Sequence, residues 1–129
     1  MPGTEPASRF TDLRRQEATS PKVLYAVDAV SVPDSPVHDL TGLTAAAVAA
    51  VGAGAGHVLQ ACHEVFPNGA ITLVLILAES HLSVHTWPEE SLVAIDLFSC
   101  GAIDGRLVIE RLVSALRLTY VTVRGLRRG

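Results

Sequence analysis

The segment Ala78-Glu79-Ser80-His81-Leu82-Ser83-Val84-His85-Thr86-Trp87-Pro88-Glu89 gathers serine hydroxyls, two imidazoles, two carboxylates and the chain's only tryptophan behind an apolar run. A serine hydroxyl is a weak nucleophile until a base or strain helps it. For Ser80 the nearest electrophile is the carbonyl of Glu79, one bond upstream. If a tight turn presses Oγ onto that carbonyl, the acyl group moves from nitrogen to oxygen and an ester forms. Backbone strain of this kind is found at functional sites. A base that then removes the α-proton of Ser80 expels the upstream chain by β-elimination and leaves dehydroalanine. Water converts this to a pyruvoyl group and ammonia. The chain thus holds the parts to build its own carbonyl cofactor.

Such a carbonyl matters because Lys22 is the only lysine. Pyridoxal enzymes need a Schiff-base lysine, and Lys22 sits at the edge of a polar segment, a poor place for one. A pyruvoyl keto carbon can itself form a Schiff base with a substrate amine. It then acts as the electron sink when carbon dioxide leaves.

Two blocks give this chemistry a family. Glu79 to Glu89 resembles the Glu-Ser-His-Leu-Thr-Ile-His-Thr-Trp-Pro-Glu signature of the prokaryotic S-adenosylmethionine decarboxylase proenzymes. Ala94-Ile95-Asp96-Leu97-Phe98-Ser99-Cys100-Gly101 resembles their Ala-(Val/Ile)-Asp-(Val/Leu)-Phe-Thr-Cys-Gly block. The resemblance implies that Ser80 becomes the pyruvoyl group and forms the Schiff base, and that Glu79 ends the upstream chain. It implies that His85 moves the proton during processing, that Thr72 stands where the family has a processing serine, and that Cys100 protonates the substrate carbon. For substrate binding it points to Glu89 at the ribose hydroxyls, Phe66 at the adenine and Trp87 beside them. It implies a homodimer of cleaved chain pairs, with sites at the interface, serving polyamine (spermidine) synthesis.

The match departs in two places. After Glu89 the family has aromatic-Gly-aromatic residues, where this chain has Glu90-Ser91-Leu92. The turn Phe66-Pro67-Asn68-Gly69-Ala70-Ile71-Thr72 fits only with a one-residue slip. Aromatic faces suit an adenine and a sulfonium; Glu90 suits a cationic tail. Two other readings therefore stand beside the first: the same pyruvoyl chemistry on ornithine or arginine, and an unprocessed binding homologue that keeps the fold. Intact Ser80, His85 and Cys100 argue against the latter.

Elsewhere the bland readings prevail. His81 and His85 lie on a strand or turn, and no Cys-x-x-Cys pair completes a zinc site; no metal is expected. Cys62 reads as a core thiol. Gly52-Ala53-Gly54-Ala55-Gly56 leaves a helix and enters a strand, the reverse of a phosphate loop, so it reads as a flexible connection. A net charge of −3 gives no nucleic-acid footprint. The longest apolar run, Leu73 to Ala78, is too short to span a bilayer, and there is no secretory signal. The expectation is a cytoplasmic enzyme.

These groups must be carried by one domain of 129 residues, about half of them apolar. Residues 1–21 read as a loose tail before a domain over 22–129. Val23–Val32, His57–Phe66, Ile71–Ala78, Leu82–Thr86, Leu92–Phe98 and Thr119–Arg124 read as strands. Ile71–Ala78 is apolar throughout, as a buried central strand would be. Leu40–Val51 and Gly105–Arg117 read as helices, with Asp39 or Thr41 and Asp104 as N-caps. The order β-α-β-β-β-β-α-β predicts an α+β two-layer sandwich: a mainly antiparallel sheet with both helices on one face. Its other face, partly apolar, calls for a second copy to cover it.

Overall fold

The structure is a computed structural model and describes residues 21–129. The predicted tail lies outside these residues apart from Pro21. Six strands form one antiparallel sheet: β1 (Lys22–Val30), β2 (Val58–Val65), β3 (Ile71–Leu77), β4 (Ser80–Trp87), β5 (Leu92–Ser99) and β6 (Thr119–Arg128). Their order across the sheet is β2-β3-β4-β5-β1-β6. Two helices, α1 (Leu40–Ala53) and α2 (Gly105–Ala115), complete the chain. Asp39 caps α1 through Gly42 N–H and Asp104 caps α2 through Leu107 N–H, each satisfying a donor that the first turn leaves free.

Strand alternation decides the layers, because successive side chains point to opposite faces. On one face Leu73 and Leu75 of β3, Leu82 and Val84 of β4, Ile95 and Leu97 of β5, and Val27 of β1 are sealed from solvent. Leu43, Ala47, Ala50 and Val51 of α1 and Val108, Ile109 and Leu112 of α2 join them in one core, at the three- and four-residue spacing of a helix face. The predicted α+β sandwich with both helices on one side is what the chain adopts.

Among the described residues nothing covers the other face. Thr72 and Val74 of β3 are half-buried there and Ile76 is exposed. The continuous apolar run of β3 therefore does not mean burial on both faces within one chain. Beyond the sheet, Ser35 Oγ donates to Leu116 O (2.6 Å) and Arg117 grips Asp34. That hydrogen bond, seconded by the charge, holds the Asp34 carboxyl below the usual carboxylate range.

The glycine run differs from its expected role. Gly54 is buried, and a Cβ there would lie 2.5 Å from Val108 Cγ2; one on Gly56 would lie 2.6 Å from Ile103 Cδ1. These glycines serve close packing, not flexibility. No helix among the described residues is long and apolar enough to cross a membrane.

Candidate active site

β3 turns into β4 with only Ala78 and Glu79 between the paired residues Leu77 and Ser80. Two-residue hairpins normally use glycine or asparagine at the corner to reach positive φ. This corner has neither, and the positive φ falls on Ser80, at 142°. That is far from the left-handed helical well near +57°, and L-residues rarely adopt it; such positions cost about 1–3 kcal/mol and persist only where the surroundings over-determine them. The strained residue is the one whose hydroxyl the sequence marks as nucleophile.

Cys100 follows β5 and is 6% exposed. Its Sγ donates to the carbonyl oxygen of Glu79 at 3.1 Å and lies 3.7 Å from Ser80 Oγ. A thiol donor is weak, but it sits on the oxygen that gains charge if Ser80 attacks the carbonyl. Gly101, at φ 77°, turns the chain away directly after it, a conformation glycine adopts freely. Glu79 is 1% exposed, and its carboxylate meets the backbone N–H and Nδ1 of His57, both at 2.8 Å.

His85 and Thr72 lie elsewhere. They are cross-strand partners, with Thr72 Oγ1 and His85 Nδ1 3.2 Å apart. Five residues of strand separate His85 from Ser80, on the order of 16 Å at ~3.3 Å per residue. At this end of β4, Phe66, Asn68, Ala70, Thr72, His85, Thr86 and Trp87 line a cavity of ≈ 340 Å³. The His85 and Trp87 rings are 6.2 Å apart. Glu89 sits in the short 3₁₀ turn Pro88–Glu90, where Asn68 Nδ2 donates to its carboxylate at 3.2 Å.

The eight residues singled out in the sequence thus form two groups. Glu79, Ser80 and Cys100 meet at one end of β4; Phe66, Thr72, His85, Trp87 and Glu89 gather at the other. Sequence reading missed His57 and Asn68. Asn68 was visible only as part of a Pro-Asn-Gly turn, which it does build, its Oδ1 accepting from Ala70 N. His57 carries no local signal, since its partner is 22 residues away. His81, on the open face, lies against Phe98 with ring centroids 6.1 Å apart. Cys62 is exposed rather than core, because β2 is an edge strand. No three His, Cys, Asp or Glu side chains converge as a metal site among the described residues. Ser91, in the departure after Glu89, has φ 53°, the conformation a glycine would hold without strain.

Comparison with known proteins gives the family and the fold. The family model for S-adenosylmethionine decarboxylase matches residues 24–129. S-adenosylmethionine decarboxylase proenzyme 2 of Bacillus anthracis is 34% identical over 104 residues, 80% of this chain and 85% of the relative. The proenzyme of Symbiobacterium thermophilum is 44% identical over 82 residues, 63% of this chain and 61% of its own length. The crystal structure of the adenosylmethionine decarboxylase from Aquifex aeolicus shares the fold, with a TM-score of 0.70 at 24% identity over 85% of this chain and 92% of that one.

Proposed function

The chain belongs to the S-adenosylmethionine decarboxylase family, and we propose that it cuts itself between Glu79 and Ser80 and then decarboxylates S-adenosylmethionine for polyamine (spermidine) synthesis. The observation that carries this reading is the contact of Cys100 Sγ with the Glu79 carbonyl beside a strained Ser80. Ser80 Oγ adds to that carbonyl, the Glu79–Ser80 C–N bond breaks, and the freed amine takes the hydroxyl proton. A base next removes the α-proton of residue 80. The Cβ–Oγ bond breaks, and residues 1–79 leave with a new terminal carboxylate. The remaining dehydroalanine tautomerises to an imine; water adds and ammonia departs. Each step is a proton transfer or an acyl or elimination step, so no oxidant is needed.

The residues present fit a pyruvoyl group made in place at Ser80, since its source is strained and a thiol already stands 3.7 Å from the Oγ. That group supplies a carbonyl which condenses with the substrate amine and draws off electrons as carbon dioxide leaves. Cys100 holds a proton beside it for the substrate carbon. Phe66 and Trp87 offer flat faces to an adenine, and the Glu89 carboxylate accepts from ribose hydroxyls. Thr72 orients His85, whose ring is the proton acceptor.

His85 does not reach Ser80 along its own strand, and the sheet face that carries it is uncovered. Two copies packed face to face about a two-fold axis would give each Ser80 the other chain's His85 pocket. Cleaved chain pairs assembled as a homodimer in the cytoplasm are therefore part of the proposal. Carbon dioxide release measured side by side with S-adenosylmethionine, ornithine and arginine tests the activity. Release from S-adenosylmethionine alone is expected; release from either amino acid in its place would move the reading to that substrate.

A further inference from the structure

We propose that His57 is a positioning residue for self-cleavage: it clamps Glu79 so that the scissile carbonyl stays between Cys100 and Ser80. The proposal rests on the reading of Glu79–Ser80 as the cleaved bond. Three contacts tie His57 to the two residues before that bond. Its carbonyl accepts from Ala78 N–H (2.9 Å), its N–H donates to Glu79 Oε1 (2.8 Å), and its Nδ1 meets Glu79 Oε2 (2.8 Å). A hairpin corner normally turns its charged side chains to water. Here the Glu79 side chain is 1% exposed while the His57 ring is 46% exposed. A carboxylate that deep is tolerated only when paired and hydrogen-bonded, so the buried position of Glu79 depends on His57.

The consequence reaches Ser80. With no glycine at the corner, the turn takes its shape from what holds Glu79, and the strained φ falls on the next residue. His57 is itself firmly placed. The preceding glycines pack without room for a Cβ, against Val51, Ile103 and Val108, and Gly54 O accepts from Asp104 N–H at 2.8 Å. Asp104 closes the loop that begins at Cys100. One tightly packed connection therefore sets both the electrophile, through His57, and the thiol on its oxygen, through Asp104.

The test follows the appearance of the 1–79 and 80–129 fragments by intact mass in wild type, His57→Ala and His57→Asn. An asparagine amide places a donor near the position of Nδ1. We expect His57→Ala to slow cleavage on the order of 10- to 100-fold, as small misplacements of reacting groups do, and His57→Asn to recover most of the rate. In uncleavable Ser80→Ala protein His57→Ala should lower the melting temperature, because Glu79 loses its partner; cleavage is therefore followed well below that temperature, where the chain is folded, and a slowed rate there separates aiming from folding. Cleavage of His57→Ala at the wild-type rate overturns the proposal, as does a rate that His57→Asn fails to restore. A wild-type chain that never cleaves overturns instead the reading of the Glu79–Ser80 bond.

Discussion

The two ends of β4 are built differently. At its start, Glu79 and Cys100 are buried, Ser80 is strained, and hydrogen bonds lock the atoms of one peptide bond. At its end, His85 is half-buried, Phe66 and Trp87 are exposed, and a cavity opens on an uncovered sheet face. At the first end the carbonyl and its donor are held within one chain; the second is presented outward. The contrast supports the proposed division, in which attack on the carbonyl is prepared within one chain while proton removal and substrate binding would draw on a second copy. Strain belongs at the first end because the surroundings there can hold it; aromatic exposure belongs at the second because something must cover it.

The largest effect expected from breaking this division is at His85. His85→Ala should slow chain separation by about 10²–10⁴-fold, the usual worth of a positioned acid or base. Co-expression with Ser80→Ala chains sharpens the comparison. A mixed pair has one site with Ser80 from the first chain and His85 from the second, so cleavage of the His85→Ala chain should return. Failure to return, read from chain masses, would place both groups within one chain.

Cys100 belongs to the other end and should behave differently. Cys100→Ala should cut decarboxylation by about 10²–10⁴-fold while slowing cleavage far less, by about tenfold, because a thiol is a weak donor to the carbonyl. Single-turnover cleavage and steady-state carbon dioxide release separate the two. Equal losses in both would mean that the fall in turnover only mirrors the shortfall of cleaved chain, and would remove the acid role in decarboxylation. The smallest effect lies beyond the cavity. Ser91→Gly removes a left-handed non-glycine residue, and the melting curve should show a gain of about 1 kcal/mol with no change in cleavage rate.

Much of this was legible in the sequence because it is local. Ser80 and the carbonyl before it stood out by residue type and order, the candidate roles of Thr72, His85, Cys100, Glu89, Phe66 and Trp87 came from the resemblance to the family, and the order of elements followed from alternation and caps. β4 nevertheless starts at Ser80 rather than Leu82, since Ser80 and His81 pair with Leu77 and Ile76 despite their polar side chains. β6 runs to Arg128 rather than Arg124 because its last residues pair with β1; an edge strand with exposed side chains leaves little pattern. α2 stops at Ala115 rather than Arg117, which sits at φ 51°. What stayed hidden was long-range. The His57–Glu79 pair spans 22 residues, and the gap between Ser80 and His85 becomes distance only when the segment is drawn out as a strand.

Whether the Glu79–Ser80 bond breaks itself is read from the intact mass of the purified chain. The expected result is two fragments, residues 1–79 and 80–129, the second with a pyruvoyl group in place of its amino terminus, while Ser80→Ala protein stays whole. A wild-type chain that remains full-length after long incubation would contradict it.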